Sequence, residues 1–92
     1  MTRPEINQDA IVRAIDRIIS KTEYRLQEKG RGVYAGPHET YGIIAEEFNE
    51  LLDAMRENEG VAFHKELLDI AVACVIGMAS YLSDDTSAEA HT

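Results

Sequence analysis

The sequence predicts an all-α fold, with three helices per chain and the second and third paired antiparallel. A second copy of the chain is expected to complete a four-helix-type core. Three observations carry that expectation. Apolar residues recur at spacings of three and four, the period of a helix face. Turn-forming clusters interrupt the chain at two places, KGRGVYAGP and Asn58-Glu59-Gly60. The stretch after the second break is apolar nearly all round, so it needs company on every side.

Each element follows from its own residues. In the first stretch Ile11, Ile15, Ile18, Thr22 and Leu26 share one face. Gly30, Gly32, Gly36 and Pro37 then mark a loop, and Pro37 suits the first turn of the helix that follows. Ile44, Phe48, Leu51 and Met55 form the apolar arc of that second helix. The third runs from Ala62 to Leu82. Two neighbours cannot enclose a helix apolar on every side, which is the ground for expecting a homodimer. Residues 1–83 are expected to form one domain and 84–92 a polar, frayed tail.

Composition narrows the function. Ninety-two residues make one small domain. With 45% apolar and 28% charged residues, the chain is neither disordered nor fibrous. Seventeen acidic residues against nine basic ones give a net charge of −8, which argues against a nucleic-acid binder. A single cysteine, Cys74, allows no internal disulfide and sits among Ala and Val as a small hydrophobe. The polar start MTRPEINQDA lacks a signal-peptide core. The longest uninterrupted apolar run, Ile70 to Ala79, is shorter than the roughly 17–25 residues of a membrane span. The expected setting is therefore cytoplasmic, without membrane or nucleic-acid partners.

The informative residues are acids in apolar company. With each residue advancing about 100° on a helix, Glu47 falls about 60° from Ile44, between Leu51 and the pair Ile43 and Ala54. Glu50 lies at the edge of the same arc, and Glu46 points to the polar side. Asp69 is the only charged residue between Leu67 and Ser83, and Glu66 precedes it by three. A carboxylate there is costly unless paired, protonated or metal-bound. No Lys or Arg follows Lys65, so its neutralising partner is expected from another element. Folding the hairpin about Glu59 and Gly60 sets Glu50 level with Asp69, and Glu47 and Glu66 each one turn away, roughly 5 Å. Four carboxylates then converge. Oxygen-only ligands suit Mg²⁺ or Mn²⁺ rather than zinc. A di-iron site would want Glu-x-x-His pairs, and neither His38 nor His64 stands three after a Glu.

The segments Glu46-Glu47-Phe48-Asn49-Glu50-Leu51 and Glu66-Leu67-Leu68-Asp69-Ile70, with fifteen residues between Glu50 and Glu66, resemble the MazG-like group of all-α nucleoside triphosphate pyrophosphohydrolases. The stretch from Pro37 to Leu82 is similar to short, phage-type members. The resemblance implies that Glu47, Glu50, Glu66 and Asp69 hold Mg²⁺, with Mn²⁺ a possible substitute. It implies a nucleoside triphosphate as substrate, cleaved at the α–β phosphoanhydride to the monophosphate and pyrophosphate. Glu46 or Glu47 is the candidate base for the attacking water.

One departure stands out. Fuller members carry a Lys- and Arg-rich helix after ExxD, whereas the ten residues after Leu82 contain no Lys or Arg. The phosphate-facing cations are then expected from the stripe Arg13, Arg17, Lys21 and Arg25 on the first helix, presented by a partner copy, with His38 a further candidate.

Plainer readings stand beside these. The four acids can be salt-bridged to the first helix, and the basic stripe can be a solvated face with Glu28 below Lys21 and Arg25. A non-catalytic binding or regulatory module that keeps the core is the alternative to an enzyme. His64 is expected in solvent, and His91 in the tail carries no reading. The glycines of KGRGVYAGP lack the GxxxxGK[ST] pattern of a phosphate loop. Tyr24, Tyr34, Tyr41 and Tyr81 could stack on a base; Tyr34 and Tyr41 are expected near the cleft.

Overall fold

The computed structural model describes residues 2–84. All regular structure among them is helical: α1 (Gln8–Lys29), α2 (Pro37–Arg56) and α3 (Gly60–Asp84). The tail expected over 84–92 lies outside the described residues, apart from Asp84, which ends α3.

Local chemistry sets each boundary. The Asn7 side chain accepts hydrogen bonds from the Asp9 and Ala10 N–H groups, at 2.7 and 3.3 Å, and so caps the start of α1. Gly30 closes α1 at φ 94°, a conformation that only glycine adopts cheaply. Pro37 opens α2, and Glu39 accepts a hydrogen bond from the Ala35 N–H just before it. At the other end, Asn58 takes φ 59°. The Glu59 N–H donates to the Ala54 carbonyl and the Asn58 N–H to the Met55 carbonyl, each at 3.1 Å. These two bonds form a Schellman motif with asparagine in the usual place of glycine, and α3 starts at once.

α3 lies between its neighbours and packs against both, most closely against the antiparallel α2. Ala54, Val72, Ala73 and Ile76 are the buried apolar residues. Half of these are alanines, which brings the two helix axes close. On α2 only Ala54 is buried, with Thr40, Ile43, Ile44, Glu47 and Leu51 half-buried around it, while Phe48 and Met55 are more than half exposed. The arc expected about Ile44 therefore holds at Ile44 and Leu51 but not at Phe48 and Met55, and Glu47 lies within the contact face, between Leu51 and the pair Ile43 and Ala54.

The tightest approach is at Gly77, where an added Cβ would stand 2.7 Å from Thr40 Cγ2. Gly42 has open space around it. Two glycine-to-alanine substitutions should therefore act in opposite directions. Gly42→Ala gains about 1 kcal/mol from helix propensity. Gly77→Ala loses a net of about 1–2 kcal/mol, because forcing α2 from α3 outweighs the same gain. Removing the clashing methyl with Thr40→Ser should make Gly77→Ala stabilising, as urea denaturation midpoints would show.

Much apolar surface has no cover within one chain. α1 has no buried residue. Ile18, Thr22 and Leu26 are half-buried, whereas Ile11, Ile15 and Ile19 face outward. Leu67, Val75, Met78 and Leu82 of α3 are also exposed. By length and composition, α3 from Gly60 to Ser83 is apolar enough to cross a membrane, which the uninterrupted run Ile70–Ala79 understates. The same helix carries Lys65, Glu66 and Asp69, all turned toward polar partners.

Candidate metal centre

The face that buries Glu47 on α2 meets Glu66 and Asp69 on α3. One carboxylate oxygen from each of the three lies within 4.8 Å of the others. Asp69 is buried, with its side chain 8% exposed, and that of Glu66 is 13% exposed. Three carboxylates this close repel one another in a medium that screens poorly.

Two cations offset part of that repulsion. Arg25 reaches down from α1 and places Nη2 3.5 Å from Asp69 Oδ1. Lys65 donates from Nζ to Asp69 Oδ2 at 3.1 Å and stands 3.7 Å from Glu66 Oε2. The Arg25 contact is an ion pair without a hydrogen bond. Asp69 Oδ1 accordingly stays without a hydrogen-bond partner, as do Glu47 Oε2 and Glu66 Oε1. Each of the three carboxylates thus keeps one buried oxygen without a hydrogen-bond partner among the described residues, in a group close enough together to hold a cation. Such orphaned groups are otherwise expensive.

The electrostatics agree. Burial, followed by the charges of Glu50, Asp69 and Glu66, raises the Glu47 carboxyl above its ordinary value, and Arg25 opposes this. Glu50 is also raised, by partial desolvation and then by the charge and hydrogen bonding of neighbouring Glu66. The hydrogen bond and charge of Asp69 raise the Lys65 ammonium.

These directions fix a pH dependence. Between the ordinary carboxylate value of 4.5 and their raised folded values, Glu47 and Glu50 bind more protons folded than unfolded. Their contribution to stability therefore falls as pH rises through that window. As pH rises from about 4.5, metal-free protein should lose melting temperature faster than its Glu47→Gln variant does. The difference between the two melting curves should vanish below the window and favour the variant above it. An unchanged difference across the titration would show Glu47 to be unstrained.

The other sequence candidates fall into place around this trio. Glu50 is exposed and stands beside Glu66, outside the closest three. Glu46 is exposed. His38 is exposed in the first turn of α2. Of the basic stripe, Arg13 pairs with Asp9 at 3.0 Å, and Lys21 lies over the Tyr24 ring at 5.6 Å. Arg17 borders the groove between α1 and α3, and Arg25 alone reaches the acids. Glu28 accepts from the Tyr24 hydroxyl at 2.9 Å rather than pairing below Lys21 and Arg25.

The expectation that no local cation serves Asp69 is corrected by Lys65 itself. It stands four residues earlier on the same helix, the spacing at which side chains meet. That spacing was visible in the sequence.

No family model, curated protein or solved structure matches this chain.

Proposed function

We propose that the chain is a divalent-cation-dependent nucleoside triphosphate pyrophosphohydrolase of the MazG-like type, acting as a homodimer. The observation that supports it most is the clustering of Glu47, Glu66 and Asp69, which each bring a carboxylate oxygen within 4.8 Å of the others and each keep a buried oxygen without a hydrogen-bond partner. All-oxygen donors with this crowding of negative charge suit Mg²⁺, and Mn²⁺ by the same chemistry.

When bound, the cation supplies charge neutralisation at phosphate oxygens and acidification of water. The chain's own residues do the rest. Glu47, Glu66 and Asp69 hold the cation, with Glu50 beside Glu66 as the fourth carboxylate. Glu46 and Glu47 are the nearby acceptors for a proton from attacking water. Arg25, already drawn to the site, is the cation of α1 best placed to meet a phosphate. Arg17 and Lys21 continue the stripe, and a second copy could bring its own to bear.

The homodimer rests on the uncovered apolar residues of α1 and α3. A helix as apolar as α3, yet carrying Glu66 and Asp69 toward α2 and Arg25, fits the centre of a soluble helical assembly. The non-catalytic alternative draws on a different fact: Arg25 and Lys65 already provide Asp69 with counter-charge. A binding module needs no more.

Calorimetric titration with Mn²⁺ and Mg²⁺, wild type beside Glu66→Gln, separates the two. Saturable binding lost in the variant, together with pyrophosphate release from at least one nucleotide in a broad panel, supports the enzyme. Binding in neither protein, with nucleotide present or absent, favours the module.

A further inference from the structure

At the end of the α2/α3 seam away from the turn, a cavity of about 500 Å³ opens between the α1–α2 loop and the ends of both helices. Tyr34, Tyr41 and Tyr81 line it, with Thr40, Gly77 and Ser80. None of its lining residues is charged. Its volume falls within the range of small-molecule sites.

The wall is built rather than loose. The Tyr34 N–H donates to Ser80 Oγ at 2.9 Å, and Ser80 Oγ donates in turn to the Ile76 carbonyl at 2.7 Å. The Ala35 N–H donates to Glu39. Thr40 and Gly77, in their close contact, form the part of the lining that lies on the helix seam.

The cavity also lies in line with the acidic trio. Thr40 and Glu47 are seven residues apart on one face of α2, about 10 Å along the helix. Gly77 follows Asp69 by eight residues, about 12 Å along α3. The Tyr34 hydroxyl on the cavity wall is within electrostatic reach of Glu47. Burial raises it most, and it also feels the charges of Arg25, Glu39 and Glu47.

An uncharged, tyrosine-lined cavity about two helical turns from the acidic cluster calls for a ligand with two chemically different ends. One end is flat, neutral and aromatic; the other is anionic and metal-bearing. We propose that the tyrosine cavity takes the base of a nucleotide whose phosphates face Glu47, Glu66 and Asp69. Aromatic rings stack on any base and so confer affinity before they confer sequence preference. The tyrosine hydroxyls add polar atoms for the base edge. This inference rests on the nucleotide reading above, and its test does not require turnover.

The test uses adenosine, guanosine, cytidine and thymidine, which lack phosphate and need no metal. Saturation-transfer NMR on the full chain should show contact at the base protons of at least one of them. The ring signals of Tyr34, Tyr41 and Tyr81 should shift. Tyr41 and Tyr81 are 75% and 71% exposed, so a Tyr41→Ala/Tyr81→Ala double variant should keep the fold. It should lose at least about tenfold in nucleoside affinity, and a Tyr→Phe pair should retain most of it.

No ring shift at millimolar nucleoside, or equal binding by the double alanine variant, overturns the proposal. So does a fall in the mass of that variant by light scattering, which would make the cavity a contact between copies. Nucleoside binding without pyrophosphate release would retain the cavity and sink the hydrolase. Triphosphate cleavage with KM unchanged in the double variant would do the reverse.

Discussion

Asp69→Asn should abolish divalent-cation binding and lower pyrophosphate release by at least about a hundredfold, since even groups that only orient metal ligands cost 10–100-fold when removed. Asparagine keeps the shape and one oxygen but removes the charge on which the site turns. Asp69 is the most buried of the acids and the one that both Arg25 and Lys65 approach. The substitution therefore leaves two cations facing a neutral group, now beside only Glu47 and Glu66. Far-ultraviolet circular dichroism should remain helical, because the side-chain volume is unchanged. Manganese titration followed by electron paramagnetic resonance gives the direct measurement. Undiminished Mn²⁺ binding by this variant would falsify the metal centre.

A pair of charges on the open apolar face should have the second large effect. Ile15→Glu with Leu67→Glu should drive the protein to a monomer by light scattering and lower its melting temperature sharply. Ile15 is 51% and Leu67 43% exposed within one chain. Each Ile or Leu side chain covered by a second copy contributes about 1.5–3 kcal/mol, and a buried unpaired carboxylate costs several more. An exposed face would respond differently, since surface substitutions there stay within about 0.5 kcal/mol. A wild type already monomeric, with melting unmoved by the two glutamates, would remove the case for a dimer.

The helices were the most legible part of the chain. Periods of three and four, Pro37, and the asparagine–glycine break fix three elements because these are local backbone preferences. The approach of the acids was readable only in part: a short turn converts sequence distance from Glu59 into height along the hairpin, but that height set Glu50 level with Asp69, whereas Glu47 joins Glu66 and Asp69 and Glu50 stays exposed. What sequence misjudged was rotation. The wheel centred on Ile44 takes in Phe48 and Met55, yet these two stay exposed and α2 turns Thr40 and Ala54 inward instead. Close helix approach selects for small residues, and that selection is invisible to a hydrophobicity pattern. The role of Arg25 was harder still. Four basic residues share one stripe, and only the tilt of α1 across α3 decides which of them reaches the acids.

The turn at Asn58 has a consequence for the order of assembly. The three acids fall between residues 47 and 69, inside one hairpin joined by a connection too short to wander. Closing so small a loop costs little entropy, and contacts close in sequence form early. The acidic cluster therefore belongs to the first part of the chain able to organise itself, ahead of α1 and of any second copy. If the proposed function holds, a divalent ion present during folding would meet these acids while the rest of the molecule is still open. It would act as a template for the hairpin, accelerating refolding as well as stabilising the finished protein.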